Sequence, residues 1–226
     1  MTQQRSTFVT LLRTFDTATI SDACEASGQP CRIVTGIAPL TGMKSIAGVA
    51  ITVQLGPAAE VPEHSERHLC TTAVEAATAD HIIVIDHQGR DDCAGWGGNL
   101  SRGAKARGCA GTIIDGATRD VDEAADLGYP IFATSATPRT ARGRAVEVAC
   151  RCPIQLAGAT VNSGDFVIAD STGIVIVSPQ AITEVLDTAT TIARREEGIA
   201  DRIEQGTPIT EAMGRGYEQM LDDLLQ

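Results

Sequence analysis

The sequence predicts an α/β protein with a long helical region at its C-terminal end. Short apolar runs alternate with capped or amphipathic segments along the chain, as strands and helices do in this class. No repeat, low-complexity tract or break in composition interrupts the alternation, which favours one domain over residues 1–226. Hydrophobic residues make up 43% of the chain and aromatic residues only 3%, so Ala, Val, Ile and Leu must build the core.

The N-terminal part predicts two helices, an irregular connection and one long strand. Apolar residues at helical spacing between Phe8 and Phe15 predict the first helix. The segment 19–22 (TISD) offers cap residues for a second helix, which should end near residues 27–28. Glycines and prolines between 28 and 42 predict an irregular connection, and the apolar run 48–55 predicts a strand.

In the middle of the chain, the predicted strands and helices alternate strictly. Their order is helix 71–77, strand 81–86, helix 98–107, strand 111–115, helix 120–127 and strand 130–134. Because α/β sheets bind ligands at the carboxyl ends of their strands, we expect the functional residues in the loops that follow these strands.

The last third predicts a β-rich layer followed by helices. Four short strands are expected at 145–150, 154–156, 166–170 and 173–177, joined by tight turns. From Pro179 the chain predicts a helical region that continues to Gln226 and is interrupted near residues 206–208. We expect this tail, about 179–226, to pack on a neighbouring subunit.

Charge and hydropathy narrow the class of partner. The formal net charge is −11 and no basic patch is evident, which argues against a nucleic-acid partner. No apolar run approaches the roughly 20 residues that a membrane-spanning helix needs, and the N-terminus lacks the apolar stretch of a signal peptide. We therefore expect a cytoplasmic protein with a small-molecule substrate and no membrane partner.

A glycine-rich turn and an adjacent Arg-Asp pair form the candidate site. The turn 95–98 opens a predicted helix, whose first free N–H groups, on Asn99 and Leu100, suit an anion. Arg119 can clamp a carboxylate through two hydrogen bonds, and Asp120 can hold a hard divalent cation. The alternatives are a flexible turn at the glycines and a plain helix cap at Asp120.

The cysteines and histidines carry weaker signals. The seven cysteines include one closely spaced pair, Cys150 and Cys152. This pair could bind a metal or act in redox chemistry, but free cysteines are more often small buried hydrophobic residues. His64 and His68 have the i, i+4 spacing of a zinc pair on a helix, yet no third ligand is evident.

Several motifs together resemble the family of 4-hydroxy-4-methyl-2-oxoglutarate aldolases, which includes the regulator of ribonuclease activity A. The motifs are 17–23 (TATISDA), 95–98 (GWGG), 104–108 (AKARG), 114–123 (IDGATRDVDE), 138–139 (PR) and 164–170 (GDFVIAD). The resemblance covers nearly the whole chain. It implies a swivelling β/β/α fold and a homotrimer or homohexamer.

The resemblance also implies a chemistry and a set of residue roles. Active members of the family are lyases that use Mg²⁺ or Mn²⁺ to cleave a 2-oxo acid and release pyruvate, and many also decarboxylate oxaloacetate. By this likeness Arg119 binds the pyruvyl carboxylate and Asp120 holds the metal. The substrate would also contact the backbone at Gly98, Asn99 and Leu100. A glutamate of a neighbouring subunit orders water on the metal, and Glu197, or Glu196 beside it, is the candidate.

One position departs from the family pattern. The aldolases carry an acidic residue ahead of the Arg-Asp pair, with twenty residues between, and that position here is Gly98. Asp91, Asp92 or His87 could replace its proton-handling role, or the reaction could need no such base. Two other functions stay open: a specialised biosynthetic lyase or isomerase on the same site, and a non-catalytic trimer that binds a protein partner.

Overall fold

A computed structural model describes residues 2–42, 45–61 and 67–214. Its helices are α1 (Thr2–Leu12), α2 (Thr17–Ala26), α3 (Thr71–Ala76), α4 (Gly98–Ala106), α5 (Val121–Asp126), α6 (Ile182–Glu204) and α7 (Ile209–Ala212). Its strands are β1 (Cys31–Val34), β2 (Ala38–Pro39), β3 (Ser45–Pro57), β4 (His81–Arg90), β5 (Gly111–Thr118), β6 (Ile131–Ala136), β7 (Ala145–Cys150), β8 (Ile154–Leu156), β9 (Ala159–Val161), β10 (Phe166–Asp170) and β11 (Ile174–Val177).

A nine-stranded mixed sheet organises the molecule. The strand order is β1-β11-β10-β3-β4-β5-β6-β2, and β7 pairs with the distal half of β3. Strands β3 to β6 are parallel to one another, and helices or loops return the chain between them. The remaining pairings of the sheet are antiparallel. The parallel strands therefore bring their carboxyl ends to one edge of the sheet.

Alternation of side chains along the parallel strands creates two apolar layers. Ile83 and Ile85 of β4 face α3, α4 and α5, whereas Ile82 and Val84 face the separate hairpin of β8 and β9. A third cluster lies between the antiparallel strands and the helices α1, α2 and α6. The α/β class, the β/β/α layering and the long C-terminal helix predicted from the sequence are confirmed.

The first part of the C-terminal region packs on its own chain. Five side chains of α6 are buried against α2 and the sheet: Ile182, Val185, Leu186, Ala189 and Ile192. Beyond them, Ile203, Ile209 and Met213 are exposed, and residues 215–226 lie outside the described residues. Contact of this tail with a neighbouring subunit stays a prediction and concerns its outer part. In the described ranges, every helix is too short or too polar to cross a bilayer.

The sequence prediction was wrong at two places in the N-terminal part. Helix α2 begins earlier than expected, because Asp16 caps it by accepting a hydrogen bond from the Thr19 amide at 2.7 Å. The connection predicted to be irregular contains β1 and β2. Strand β1 is half exposed and owes its order to pairing with β11, a long-range contact that local composition does not report.

Candidate active site

A cavity of about 330 Å³ lies at the carboxyl end of β5, beside the first turn of α4. Its wall contains the glycine turn, the first residues of α4 and the Arg-Asp pair. The residues that line it are His68, Leu69, Ala94, Gly95, Trp96, Gly97, Gly98, Asn99, Leu100, Arg119, Asp120, Glu123, Thr140 and Ala141. Five residues that the sequence analysis assigned to one site all line this cavity: Gly98, Asn99, Leu100, Arg119 and Asp120.

Arg119 and Asp120 form a partly exposed ion pair on the cavity wall. Arg119 Nε lies 3.2 Å from Asp120 Oδ2, and the two side chains are 41% and 35% exposed. No residue of the described chain hydrogen-bonds to the terminal nitrogens of Arg119 or to Asp120 Oδ1. The pair therefore leaves a carboxylate-binding fork and a carboxylate oxygen open to a ligand.

Asp120 does not serve as an ordinary helix cap. It occupies the position before α5 with φ +57°, and its side chain accepts no hydrogen bond from that helix. Instead, Oδ2 accepts a hydrogen bond from the Gly98 amide of α4 at 2.8 Å. The left-handed backbone, which Asp tolerates better than most residues, turns the carboxylate across the cavity. This geometry rejects the helix-cap alternative for Asp120.

Hydrogen bonds that begin at the buried Trp96 side chain hold the first turn of α4 in place. Trp96 Nε1 donates to Ser101 Oγ at 2.9 Å, and Ser101 Oγ donates to the Gly97 carbonyl at 3.1 Å. The N–H groups of Asn99 and Leu100 have no partner within the described ranges, as expected for the open end of a helix. They present a rigid pair of donors to the cavity, which suits an anion.

The glycines of the turn are needed for close packing. A Cβ at Gly97 would lie 3.0 Å from Asp120 Oδ2 and 3.2 Å from Arg119 Nε. At Gly95 it would lie 2.8 Å from Ile114 Cδ1. Any larger residue at these positions would push the turn away from the ion pair, so the predicted alternative of a merely flexible turn does not describe this segment.

Glu123 is the site residue that sequence reasoning missed. A Cβ at Gly98 would lie 2.6 Å from Glu123 Oε2 and 2.8 Å from Oε1, so this carboxylate fills the space above the glycine. Arg102 holds it there through an Nε–Oε1 contact of 2.7 Å. A carboxylate of α5 thus lies beside the position where the family pattern has an acid. The available signal was the spacing of Glu123, three residues after Asp120 on a predicted helix.

The three groups considered as replacements for that acid do not line the cavity. Asp92 pairs with Arg90 at 2.8 Å, and this hydrogen bond lowers the pKa of its carboxyl. His87 is fully buried, its Nε2 lies 2.9 Å from the Cys93 carbonyl oxygen, and burial lowers its pKa. Asp91 is exposed in the same loop. Glu123, which was not among these three, does line the Arg119 cavity.

Glu196 and Glu197 lie on α6 and line neither this cavity nor the one beside it. A role for either in a neighbouring subunit's site stays a prediction.

The predicted zinc and redox alternatives gain no support. His64 lies outside the described residues, and His68 lies in a non-helical segment that precedes α3. Burial raises the pKa of both Cys150 and Cys152, which makes them poor thiolates. Across the described ranges, no group of three or more His, Cys, Asp or Glu side chains could hold a metal ion.

Two carboxylates on one wall nevertheless fit a magnesium-like ion. Asp120 and Glu123 both line the cavity and both offer hard oxygen ligands. Mg²⁺ is usually held by one or two carboxylates, with water and substrate oxygens completing its coordination. The donor set therefore suits a shared protein–substrate site better than an all-protein one such as structural zinc occupies.

The fold and site define an α/β protein with a cavity lined by Arg119, Asp120 and Glu123 at the carboxyl ends of parallel strands. Comparison with known families assigns it further: residues 17–176 match the RraA-like family, described as Aldolase/RraA. Because the match covers most of the chain, the protein belongs to this family.

Curated relatives carry different names. The chain is 30% identical to protein DlpA of Legionella pneumophila over 87% of its own length, but spans only 32% of DlpA. It is 34% identical over 146 residues to a Burkholderia mallei protein provisionally named as a 4-hydroxy-4-methyl-2-oxoglutarate aldolase, covering 65% of this chain and 82% of that one. The second relative supports lyase chemistry in general.

Solved structures confirm the fold. An uncharacterized protein from Pseudomonas syringae superposes with a TM-score of 0.81 at 28% identity, covering 92% of this chain and 98% of that one. Streptomyces coelicolor RraAS2, described as an unusual member of the RNase ES inhibitor RraA family, gives a TM-score of 0.74 at 26% identity, covering 84% and 93%. The family thus includes proteins named as inhibitors as well as aldolases.

Proposed function

We propose that this protein is a divalent-metal-dependent lyase that cleaves a carbon–carbon bond of a 2-oxo acid and releases pyruvate. Its substrate would be 4-hydroxy-4-methyl-2-oxoglutarate, oxaloacetate or both. The observation that carries the proposal is the convergence of Arg119, Asp120, Glu123 and the first amides of α4 on one cavity. The relative named as an aldolase supports the same reaction class.

The cavity supplies two ways to hold the substrate carboxylate. The open fork of Arg119 can bind both carboxylate oxygens, and the Asn99 and Leu100 amides can donate to the same group or to the neighbouring 2-oxo oxygen. Because the Trp96–Ser101–Gly97 hydrogen bonds fix the α4 turn, these donors need little reorganisation when the substrate binds.

Asp120 and Glu123 would have separate roles, metal binding and proton transfer. Asp120 would hold Mg²⁺ or Mn²⁺, which supplies a Lewis acid that withdraws negative charge from the 2-oxo group. Glu123, held over Gly98 by Arg102, would move the substrate proton through a water molecule between its carboxylate and the reacting carbon or hydroxyl. Decarboxylation needs this proton acceptor less than aldol cleavage does, since no hydroxyl has to be deprotonated.

Pyruvate release tests the proposal directly. Purified protein is mixed with each substrate and Mg²⁺, and pyruvate is followed by coupled NADH oxidation, with a protein-free blank for spontaneous oxaloacetate decay. We expect turnover of at least one substrate, loss of turnover with EDTA and recovery with excess Mg²⁺. Arg119→Ala should lower kcat/KM at least about tenfold because the carboxylate clamp is gone.

Arg139→Ala is the matched control, because Arg139 is exposed and lines neither cavity. Folded protein that turns over neither substrate would contradict the assigned reaction and favour a non-catalytic regulator or a lyase or isomerase with another substrate. The structural similarity to the Streptomyces protein, which is described as belonging to an inhibitor family, supports a non-catalytic regulator as the second candidate function.

A further inference from the structure

Strand β4 carries an irregularity close to the Arg119 cavity. It pairs in register with β5 up to Asp86, and the pairing resumes at Arg90 with the next residue of β5, so the segment 87–89 is extra. Within this segment Gln88 has φ +59°, a conformation that few residues other than glycine adopt. Bulges of this kind redirect a side chain and are common beside functional sites. The side chain redirected here is that of His87, which is fully buried.

The His87 imidazole lies between the two segments that form the cavity wall. A Cβ at Gly95 would be 3.1 Å from His87 Cδ2, and a Cβ at Gly116 would be 2.7 Å from the same atom. Gly95 opens the glycine turn, and Gly116 belongs to the end of β5, three residues before Arg119. The ring therefore fills the space between the turn and the strand, and it contacts both.

Backbone hydrogen bonds join the same two segments. The Gly95 amide donates to the Ala117 carbonyl at 2.9 Å, and the Arg119 amide donates to the Trp96 carbonyl at 3.1 Å. A displacement of the glycine turn would therefore also displace the backbone of Arg119 and the first turn of α4. These are the elements that carry the anion donors of the proposed site.

The hydrogen bonds of the ring require its neutral form. His87 Nε2 lies 2.9 Å from the Cys93 carbonyl oxygen, and since a carbonyl only accepts, Nε2 carries a proton. Nδ1 is buried and has no hydrogen-bond partner among the described residues. In the neutral ring Nδ1 is a bare lone pair, whereas protonation would bury a charged N–H group without an acceptor. The folded site therefore favours the neutral imidazole.

The charged groups near the ring act in opposite directions. Burial lowers the pKa of His87 and Arg90 lowers it as well, whereas the hydrogen bond of Nε2 raises it. Two nearby carboxylates also raise it, those of Asp92 and Asp86. The Cys93 thiol lies 3.9 Å from Nε2, and burial raises its pKa, so it is uncharged near neutral pH. The glycine turn and residues 116–118 of β5 contain no titratable side chain.

We infer that His87 is a positioning residue for the Arg119 cavity, whose neutral imidazole holds the glycine turn against β5 and whose protonation weakens anion binding at the site. A protonated ring needs an acceptor for Nδ1, and reaching water requires that the ring or the turn move. The inference rests on the proposed function for the identity of the anion. It adds an acid-sensitive control of the same site by a residue that does not touch the substrate.

Acrylamide quenching of Trp96 in the free protein tests the inference without a ligand. Trp96 is the single tryptophan and is 2% exposed, so its quenching constant reports whether the turn opens. Between pH 7.5 and 5.0 we expect this constant to rise about threefold or more in wild-type protein. In His87→Gln it should change less than about 1.5-fold, because the amide can still donate to the Cys93 carbonyl but takes up no proton.

His81→Gln is the matched control. His81 lies at the start of the same strand, and burial lowers its pKa too, but it lines neither cavity. This variant should therefore keep the pH dependence of the wild-type protein. If quenching were governed by the general stability of the fold, the two histidine variants would behave alike.

Calorimetric titration with oxalate and Mg²⁺ measures the consequence for the site. Between pH 7.5 and 5.5, we expect Kd to rise about tenfold more in wild-type protein and His81→Gln than in His87→Gln. Effects of pH on the carboxylates of the site are common to all three proteins and cancel in this comparison. His87→Leu, which removes the donor to the Cys93 carbonyl at every pH, should bind oxalate about tenfold more weakly than wild type at pH 7.5.

The two measurements separate the inference from the proposed function. Equal pH dependence of quenching in wild-type protein and His87→Gln would overturn the inference, as would quenching that rises only with loss of the far-UV circular dichroism signal. Oxalate binding with the same pH dependence in both proteins would overturn the inference and leave the proposed function standing. No oxalate binding at any pH, with the expected quenching, would contradict the proposed function and support the role of His87 in holding the turn.

Discussion

At the scale of single residues, the site depends on carboxylates that come from unexpected directions. Asp120 sits before α5 but bonds the first turn of α4, and Glu123 fills the space above Gly98 from a helix that begins later in the chain. Both arrangements require glycine at positions 97 and 98, because a Cβ at either position would collide with Asp120 or Glu123. The glycine turn and the Arg-Asp segment are therefore one steric unit.

Exchanging the acid between positions 98 and 123 tests this unit. Gly98→Asp alone should damage activity and stability, since its Cβ would meet Glu123 at 2.6 Å. Glu123→Ala alone should lower kcat/KM about 100-fold, the range of a lost proton-transfer group. The double variant should regain at least about tenfold over Glu123→Ala, because the new carboxylate enters the vacated space.

The readout is steady-state pyruvate release together with the urea midpoint of each variant. Strictly additive losses in the double variant would contradict the idea that Gly98 and Glu123 share one place. A Glu123→Gln variant serves as the control for packing, since it keeps the size of the side chain and removes its charge.

Most of the site, but not all, could be predicted from the sequence. Gly98, Asn99, Leu100, Arg119 and Asp120 were found because each lies next to the end of a predicted strand or the start of a predicted helix. Glu123 was missed because its role depends on how α5 approaches α4, which no local pattern encodes.

At the scale of elements, the strands with strong apolar patterns could be predicted and the edges could not. Strands β3 to β5 are buried on both faces along most of their length, as is the first half of β6, so their composition alone identifies them. Strands β1, β2 and β9 have two to four residues each, lie partly exposed and form only because a partner strand is present. Their order is a tertiary effect that single-sequence patterns do not contain.

Two histidines of β4 should make the free energy of unfolding depend on pH. Burial lowers the pKa of His87 below its usual 6.5. Just below pH 6.5, the His87 side chain therefore binds a proton in the unfolded chain but not in the folded chain. The free energy of unfolding should therefore fall as the pH drops below 6.5, by on the order of 1 kcal/mol per pH unit for each such group. His81, whose pKa burial also lowers, contributes with the same sign.

Urea unfolding between pH 7.5 and 5.5 measures this effect. His87→Gln should show a shallower fall than wild-type protein over that range, and His81→Gln isolates the second contribution. Identical pH dependence in wild type and His87→Gln would show that the buried imidazole is not responsible.

At the scale of the whole molecule, the sheet brings the carboxyl ends of its parallel strands to one edge. There α4 and α5 cover one face, and the Arg119 cavity lies beside the first turn of α4. Membership of the RraA-like family fits this architecture, since the family contains both named aldolases and named inhibitors. The proposed lyase function requires that the Arg119 cavity bind an oxo acid. A cytoplasmic location and a trimeric or hexameric assembly remain predictions.

Ligand binding at Trp96 is the most direct measurement of that claim. The chain has a single tryptophan, and it lines the Arg119 cavity, so its fluorescence reports on this site alone. Oxalate, a stable mimic of the pyruvyl oxygens, is titrated with and without Mg²⁺. The account predicts saturable quenching or enhancement that requires Mg²⁺, is lost in Asp120→Asn, weakens at least about tenfold in Arg119→Lys and is unchanged in Arg139→Ala. Binding that is absent in wild-type protein, or that survives Asp120→Asn and removal of Mg²⁺ unchanged, would contradict it.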